Sequence, residues 1–297
     1  MSSLSAPALR QLACDWVRSG QRAMLVAVTD SKGSTPRDAG ARMLVTTAER
    51  HGTIGGGHLE WQAIALARQA LQECQHQPPG TWLQTFALGP TLGQCCGGVV
   101  TLQFAPLNEL AMQQWPISQG LHIELHGAGH VGQAIVKLLA DLDFSVRWID
   151  TRDSDDAGCG LPDEATLQRL PAHINWLPSD CPEAEVADAP TGAIHLVLTH
   201  RHDLDLRIIE AVLRRGDSLF AGLIGSQTKR AKFLHRLEDK GLSPAQLAHM
   251  TCPIGLGGLQ GKEPAVIAVA VVAQLLMLRQ QHAVAPAPAA MLEQHIK

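Results

Sequence analysis

The order of apolar and polar stretches changes near residue 120, which divides the chain into two regions. In the first region, residues 1–106, apolar runs bounded by polar turns predict strands over residues 23–28, 41–46, 83–87 and 99–104. Helical spacing of apolar residues predicts one helix over residues 7–19 and a second that ends near residue 75. We therefore expect a small α+β domain, followed by a linker over residues 107–120.

In the second region, residues 121–282, short apolar strands alternate with amphipathic helices. The predicted strands cover residues 122–126, 145–149, 174–177, 194–199 and 219–224. The predicted helices cover residues 131–141, 203–215, 227–241 and 264–281. This alternation predicts an α/β chain in which a Rossmann-like, doubly wound parallel sheet follows the smaller N-terminal α+β domain. Residues 283–297 are expected to form a mobile tail.

The amino-acid composition and charge of the chain exclude several classes of protein. A hydrophobic content of 45% with 18% charged residues is typical of a folded globular protein. The net charge of -4 and the absence of long basic runs argue against a nucleic-acid partner. The first residues lack a signal-peptide pattern, and the apolar stretch 264–278 is expected to be too short to span a membrane. We expect a cytoplasmic protein whose seven cysteines are mostly free thiols.

A G-x-G-x-x-G motif formed by Gly127, Gly129 and Gly132 lies between a predicted strand and a predicted helix. Asp150 ends the next strand, at the spacing where dinucleotide-binding folds place a ribose-binding acid. The free amides at the helix start favour an anion, so the motif predicts a phosphate site. The alternative is a turn that needs a positive φ and binds nothing.

Two loops of the first region also carry chemistry suited to an anion. A triple glycine precedes a predicted helix start, and a second loop combines two hydroxyls with a guanidinium. The candidate ligands in these loops are Gly55, Gly56, Gly57, His58, Ser34, Thr35 and Arg37. Arg37 pairing with a local acid is the alternative.

Cys95 and Cys96 stand between a Gly-Gln and a Gly-Gly pair, where little side-chain bulk blocks access to the sulfurs. The two thiols indicate sulfur transfer, binding of a soft metal centre or redox chemistry. The alternative is a pair of small apolar residues at a strand start. Because neither these cysteines nor the histidines have zinc-ligand spacing, we expect no metal site of the protein's own.

Polar residues follow two strands of the second region, at the sheet edge that lines the ligand crevice in doubly wound folds. His200 and His202 follow the fourth strand, and the next residue, Asp203, is expected to cap a helix. Gly225 and Ser226 follow the fifth strand. This cluster predicts a site for a phosphate or a polar ring, with a helix cap and a plain strand-to-helix turn as the alternatives.

Taken together and in this order, these motifs resemble those of the XdhC/CoxI family, from about residue 8 to residue 280. The loop after Cys252-Pro253-Ile254-Gly255 is most similar to the branch of xanthine dehydrogenase accessory proteins. The resemblance implies a homodimeric handler of molybdenum cofactor rather than an enzyme. Such a protein binds the cofactor while a cysteine desulfurase supplies sulfur, and delivers it to the molybdenum-binding subunit of xanthine dehydrogenase. Cys95 or Cys96 would then contact molybdenum or carry sulfur.

Two other classes of function compete with this interpretation. An NAD(P)-dependent oxidoreductase would use the glycine motif and Asp150, but a chain without tyrosine has no Ser-Tyr-Lys catalytic set. A thiol redox module would need only the cysteines and leaves the other motifs unexplained.

Overall fold

The computed structural model describes residues 4–74, 77–88, 97–115, 120–152 and 160–283. The chain forms two compact units, Met1–Ser118 and Gln119–Lys297. Cys95, Cys96 and the predicted tail beyond residue 283 lie outside the described residues.

The first unit is built on an antiparallel sheet with strand order β3-β2-β1-β5-β4. Its strands are β1 (Met24–Lys32), β2 (Arg42–Val45), β3 (Arg50–Gly52), β4 (Trp82–Ala87) and β5 (Val99–Pro106). The predicted α+β class is confirmed. The sequence did not predict β3, because its three residues are too few to show a period.

Helices cover both faces of this sheet. They are α1 (Ala6–Ser19), α2 (Gly57–Glu73) and α3 (Glu109–Gln114). Apolar residues of α2 pack on one face around Met24, Val26 and Phe104, and α1 packs on the other face around Leu25 and Leu44. The segment predicted as a linker contains α3, whose side chains join the α1 cluster.

The second unit contains a six-stranded parallel sheet with order β11-β10-β9-β6-β7-β8, and the predicted Rossmann-like fold is confirmed. Its strands are β6 (His122–His126), β7 (Ser145–Asp150), β8 (Ile174–Pro178), β9 (Ile194–Val197), β10 (Phe220–Leu223) and β11 (Met250–Thr251). The chain runs outward from β6 to β8 and then resumes on the other side of β6 with β9. The carboxyl ends of β6 and β9 therefore border the place where the strand order reverses, which is the ligand-binding position in this class of fold.

The helices of the second unit pack on both faces of the sheet. They are α4 (His130–Leu139), α5 (Glu164–Gln168), α6 (His202–Arg215), α7 (Gln227–Asp239), α8 (Pro244–Ala248) and α9 (Pro264–Ala283). Side chains of α4 and α9 share one core with Ile123, Leu125 and Trp148, and side chains of α6 and α7 share a second core with Val197 and Leu223. The two short helices α5 and α8 and the two-residue strand β11 were not predicted.

Helix α9 corrects the expectation that the last apolar stretch is too short to cross a membrane. Residues Pro264–His282 have a mean hydropathy of 1.4 and by length and composition alone are able to span one. On one side, Ala268, Val271 and Leu275 are buried in the core shared with α4. Val269 and Met277 remain exposed on the other side. The helix is therefore partly a core element of the second unit.

A band of buried polar side chains lies on the sheet face opposite α4. Glu124 accepts hydrogen bonds from the Arg147 guanidinium (2.9 Å) and contacts the ring of His122 (2.7 Å). His126 and His195 stack with their ring nitrogens 3.4 Å apart, and both are almost fully buried. Burial lowers the pKa of His126 well below its ordinary value and lowers the pKa of His195 to about 4. Both imidazoles are therefore neutral at neutral pH.

We expect these histidines to make folding stability depend on pH. The unfolded chain binds a proton at each imidazole near pH 6.5, whereas folded His195 remains neutral down to about pH 4. The free energy of unfolding should thus fall as pH drops from 6.5 toward 4, by about 3 kcal/mol for His195 alone. Urea unfolding at a series of pH values measures this loss.

The variant His195→Gln should reduce this pH dependence. Replacement of the exposed His235 by Gln, the matched control, should leave it unchanged because that ring is exposed in the folded chain. An unchanged slope in His195→Gln would show that the buried pair does not control acid stability.

Candidate functional site

Two predicted loops of the first unit lie directly against each other. A Cβ placed on Gly98 would lie 2.6 Å from the carbonyl oxygens of both Lys32 and Ser34, so only glycine allows this approach. Gly97 is exposed, and a Cβ there would meet no atom within 4 Å. The backbone that follows Cys95 and Cys96 is thus open on one side and packed on the other.

The triple-glycine turn contacts the same loop. Gly55 has a φ of +123°, and a Cβ there would lie 2.7 Å from the ring of Pro36. This contact places the turn beside the segment that carries Ser34, Thr35 and Arg37. The structure therefore brings together the three motifs that the sequence analysis selected in this unit, apart from the two cysteines themselves.

The turn before α2 is fixed by a carboxylate that the sequence analysis did not select. Buried Glu60 accepts hydrogen bonds from the amides of Ile54 (3.1 Å) and Gly56 (3.0 Å), from the Thr53 hydroxyl, and from Arg50 (2.8 Å). One amide of the predicted anion site, that of Gly56, and the amide just before the site, that of Ile54, are therefore already bound by a carboxylate. The acid in the first turn of a predicted helix was the signal available in the sequence.

The remaining predicted residues of this unit are accessible. Ser34, Arg37 and His58 are exposed, and within the described part of the chain Arg37 pairs with no carboxylate. Arg37 lines a cavity of about 160 Å³ together with Arg42. The ring of His58 stacks on the exposed Trp61, with ring centroids 5.6 Å apart. Ser34 and Arg37 are therefore accessible to a ligand, whereas the exposed His58 ring already contacts Trp61 and Gln62.

In the second unit, the three glycines of the G-x-G-x-x-G turn have separate roles. Gly127 has a φ of +121°, and a Cβ there would lie 2.4 Å from the Leu198 carbonyl oxygen. A Cβ on Gly132 would lie 2.2 Å from the Gly127 carbonyl oxygen, so Gly132 permits α4 to pack on the turn. A Cβ on Gly129 would meet nothing within 4 Å. Gly129 thus leaves the backbone open where a dinucleotide fold admits a phosphate.

Asp150 binds this turn. Its carboxylate accepts hydrogen bonds from the Ala128 amide (2.6 Å), the Arg152 amide (3.0 Å) and the Arg152 guanidinium (2.8 Å). Burial acts to raise the pKa of Asp150, but these hydrogen bonds outweigh burial and keep the pKa below its ordinary value. The ionised carboxylate fixes the turn, and its expected contact with a ligand remains a prediction.

Helix α6 begins at His202, with Arg201 at the N-cap position. The expectation that Asp203 caps this helix is therefore wrong, because the N-cap position lies two residues earlier and Asp203 is in the first turn. There Asp203 forms exposed ion pairs with Arg201 (2.7 Å) and Arg207 (3.3 Å). His200 and His202 are both exposed beside this helix start.

A buried ion pair joins the ends of β9 and β10. Asp205 accepts hydrogen bonds from the Thr199 amide (2.9 Å) and from the Lys229 ammonium (2.5 Å), and Lys229 also donates to the Ile224 carbonyl oxygen (2.9 Å). A Cβ on Gly225 would lie 2.6 Å from the Lys229 side chain. Gly225 thus allows the lysine to reach the acid. The sequence pattern did not indicate either charged residue, because both occupy ordinary positions in amphipathic helices.

Beside this pair lies a basic cavity of about 390 Å³, called the α7 cavity below. It is lined by His202, Ser226, Thr228, Lys229, Lys232, Phe233, His235 and Arg236. Ser226 caps α7 by accepting a hydrogen bond from the Lys229 amide (3.2 Å). The cavity brings together two predicted ligands, His202 at the start of α6 and Ser226 at the N-cap of α7.

The described residues hold no cluster of three or more histidine, cysteine or acidic side chains able to bind a metal ion. Cys252, near Ser226, is buried, and burial raises the pKa of its thiol. That thiol is therefore protonated and a poor metal ligand at neutral pH.

Two family models match the chain. Residues 123–275 match the XdhC Rossmann domain, and residues 16–86 match the XdhC and CoxI family. Among curated proteins, the uncharacterized protein YqeB of Escherichia coli (strain K12) is 25% identical over 257 residues, which are 86% of this chain and 43% of YqeB. The chain thus spans less than half the length of that relative.

Among solved structures, a crystal structure from Bacillus halodurans, described as a xanthine dehydrogenase, matches with a TM-score of 0.72. The match covers 94% of this chain and 98% of the other, with 16% sequence identity. At this identity the likeness shows the fold alone.

We expect Glu60→Ala to destabilise the first unit by about 3 kcal/mol, because Arg50 and two amides lose their acceptor. Urea unfolding followed by tryptophan fluorescence measures the effect. Glu73→Ala on the same helix is the matched control, since exposed Glu73 contacts only Gln69 in the described structure. Equal stability of the two variants would contradict a structural role for Glu60.

Asp205→Ala should cost about 3–5 kcal/mol, because it leaves the mostly buried Lys229 ammonium without its counter-charge. The control Asp203→Ala removes exposed ion pairs from the same helix and should change stability little. Chemical denaturation of both variants makes the comparison. Similar losses would show that the contact between Asp205 and Lys229 does not fix these loops.

Proposed function

The chain belongs to the XdhC and CoxI family, and we propose that it binds molybdenum cofactor as cargo, supports its sulfuration and inserts it into xanthine dehydrogenase. The observation that carries this proposal is the match of a family model to each of the two units. A cysteine desulfurase and the molybdenum-binding subunit of xanthine dehydrogenase would be its partners. The chain itself would be a handler rather than a turnover enzyme.

The chemistry of the cargo fits the groups that the two units present. The cofactor is a pterin that carries a phosphate and binds molybdenum through a dithiolene. It needs cations or amides for the phosphate, polar groups for the ring and access near a sulfur. In the second unit, the α7 cavity offers cations suited to the phosphate. In the first unit, exposed Arg37 and His58 offer polar groups.

Within this proposal, Cys95 or Cys96 contacts the molybdenum or holds the sulfur that the desulfurase supplies. The packing of Gly98 against Lys32 and Ser34 supports a fixed position for the backbone that follows these thiols. Small neighbours leave room for a bulky group.

The second candidate is an NAD(P)-dependent oxidoreductase, which the open backbone at Gly129 favours. Two observations weigh against it. The chain has no tyrosine for a Ser-Tyr-Lys catalytic set. In addition, the Asp150 carboxylate binds Ala128 and Arg152, whereas a ribose-binding acid directs its oxygens to the ligand.

The proposal is tested by adding the protein, purified from cells that make molybdenum cofactor, to cofactor-free xanthine dehydrogenase with a cysteine desulfurase present. We expect dehydrogenase activity to rise with the amount of added protein. NAD(H) titration of the same preparation is the competing measurement. Tight nucleotide binding with hydride transfer, and no activation, would contradict the proposal.

The double variant Cys95→Ala/Cys96→Ala should lower the rate of dehydrogenase activation by about tenfold or more, because it removes the thiols that contact molybdenum or carry sulfur in this proposal. The matched control is Cys181→Ala, which removes an exposed thiol from the second unit. Full cofactor retention and full activation by the double variant would rule out a role for these cysteines while leaving cofactor delivery itself supported.

A further inference from the structure

Positive charge is concentrated along α7. Residues 227–236 contain four cations, Lys229, Arg230, Lys232 and Arg236, and no acid. The chain as a whole has a net charge of -4. Three of these cations line the α7 cavity, whose lining contains no carboxylate. The cavity is therefore a local site of attraction for anions on an acidic protein.

Two of the three cations that line the α7 cavity pair with no acid among the described residues. Lys229 is bound to buried Asp205. In contrast, Lys232 and Arg236 pair with no carboxylate among the described residues. The His235 ring lies 3.9 Å from Asp239 at the helix surface. The cavity thus presents two unpaired cations, together with the His202 ring and the Ser226 hydroxyl.

The two glycine-rich turns are less suited to a phosphate than their sequences suggest. Glu60 already accepts amides of the first turn, and Asp150 accepts the Ala128 amide of the second. A phosphate placed there would have to replace a carboxylate that already accepts these amides. The lining of the α7 cavity contains no carboxylate.

We propose that the α7 cavity binds a phosphomonoester or diphosphate group, and that it holds the phosphate of the molybdenum cofactor. The second part rests on the proposed function. Arg236 offers a planar fork for two phosphate oxygens, and Lys232 offers a compact charge. The volume of about 390 Å³ lies within the range of small-ligand sites, and buried Phe233 adds an apolar surface for the group that carries the phosphate.

Calorimetric titration of the full chain with inorganic pyrophosphate tests the first part. The variant Lys232→Gln/Arg236→Gln should weaken binding by about tenfold or more. The control Lys137→Gln/Lys262→Gln removes the same charge from exposed positions of the same unit and should weaken binding by less than about twofold. Because all four side chains are exposed, circular dichroism should show an unchanged fold.

Equal affinity of wild type and Lys232→Gln/Arg236→Gln would overturn the site. An equal loss in both double variants would also overturn it, because binding would then follow net charge rather than position. A failure of wild type to bind pyrophosphate at millimolar concentrations would also overturn the site.

Copurified molybdenum and pterin test the second part and separate it from the proposed function. Loss of both from Lys232→Gln/Arg236→Gln, but not from the control variant, supports the assignment. Full retention by that variant overturns the assignment while the proposed function stands. If pyrophosphate binds at α7 but wild type never carries molybdenum or pterin, the proposed function fails and the cavity serves another phosphorylated ligand.

Discussion

Buried carboxylates that bind loop amides fix the loops on which the candidate site depends. The same arrangement occurs three times among the described residues: an acid accepts one or more backbone amides of a loop and is also bound by a cation. The acid-cation pairs are Glu60 with Arg50, Asp150 with Arg152, and Asp205 with Lys229. Because an ionised group inside a protein must be compensated, each pair ties its loop to one position.

Because these internal acids bind the glycine-rich turns, the glycine motifs do not by themselves indicate free anion sites. A glycine-rich helix start attracts anions through free amides, but here a carboxylate of the chain satisfies part of each turn. The glycines still allow segments of backbone to pack closely, as Gly132 does against the Gly127 carbonyl oxygen and Gly98 against that of Lys32. On α7, by contrast, Lys232 and Arg236 pair with no carboxylate among the described residues. The fold of a dinucleotide enzyme is therefore compatible with a protein that handles a different phosphorylated molecule.

The sequence predicted the sheet of each unit because strand and helix periods are local and strong. It predicted the turn at Gly127 because three glycines between a strand and a helix have few other uses. It did not predict the contact of Asp205 with Lys229, since the two residues are 24 positions apart and each fits an amphipathic helix. Asp203 was misplaced because a shift of two residues in the N-cap position exchanges a cap for a first-turn position. Short β3 and β11 depend on pairing with neighbouring strands, which a local pattern does not record.

If this chain carries molybdenum cofactor, the cofactor should be found on the purified protein. The test is the molybdenum and pterin content of protein purified under anaerobic conditions from cells with intact cofactor synthesis and from cells that lack it. We expect molybdenum and pterin in equal molar amounts in the first preparation and neither in the second. Absence of both from the first preparation, with a nicotinamide nucleotide bound instead, would contradict this expectation.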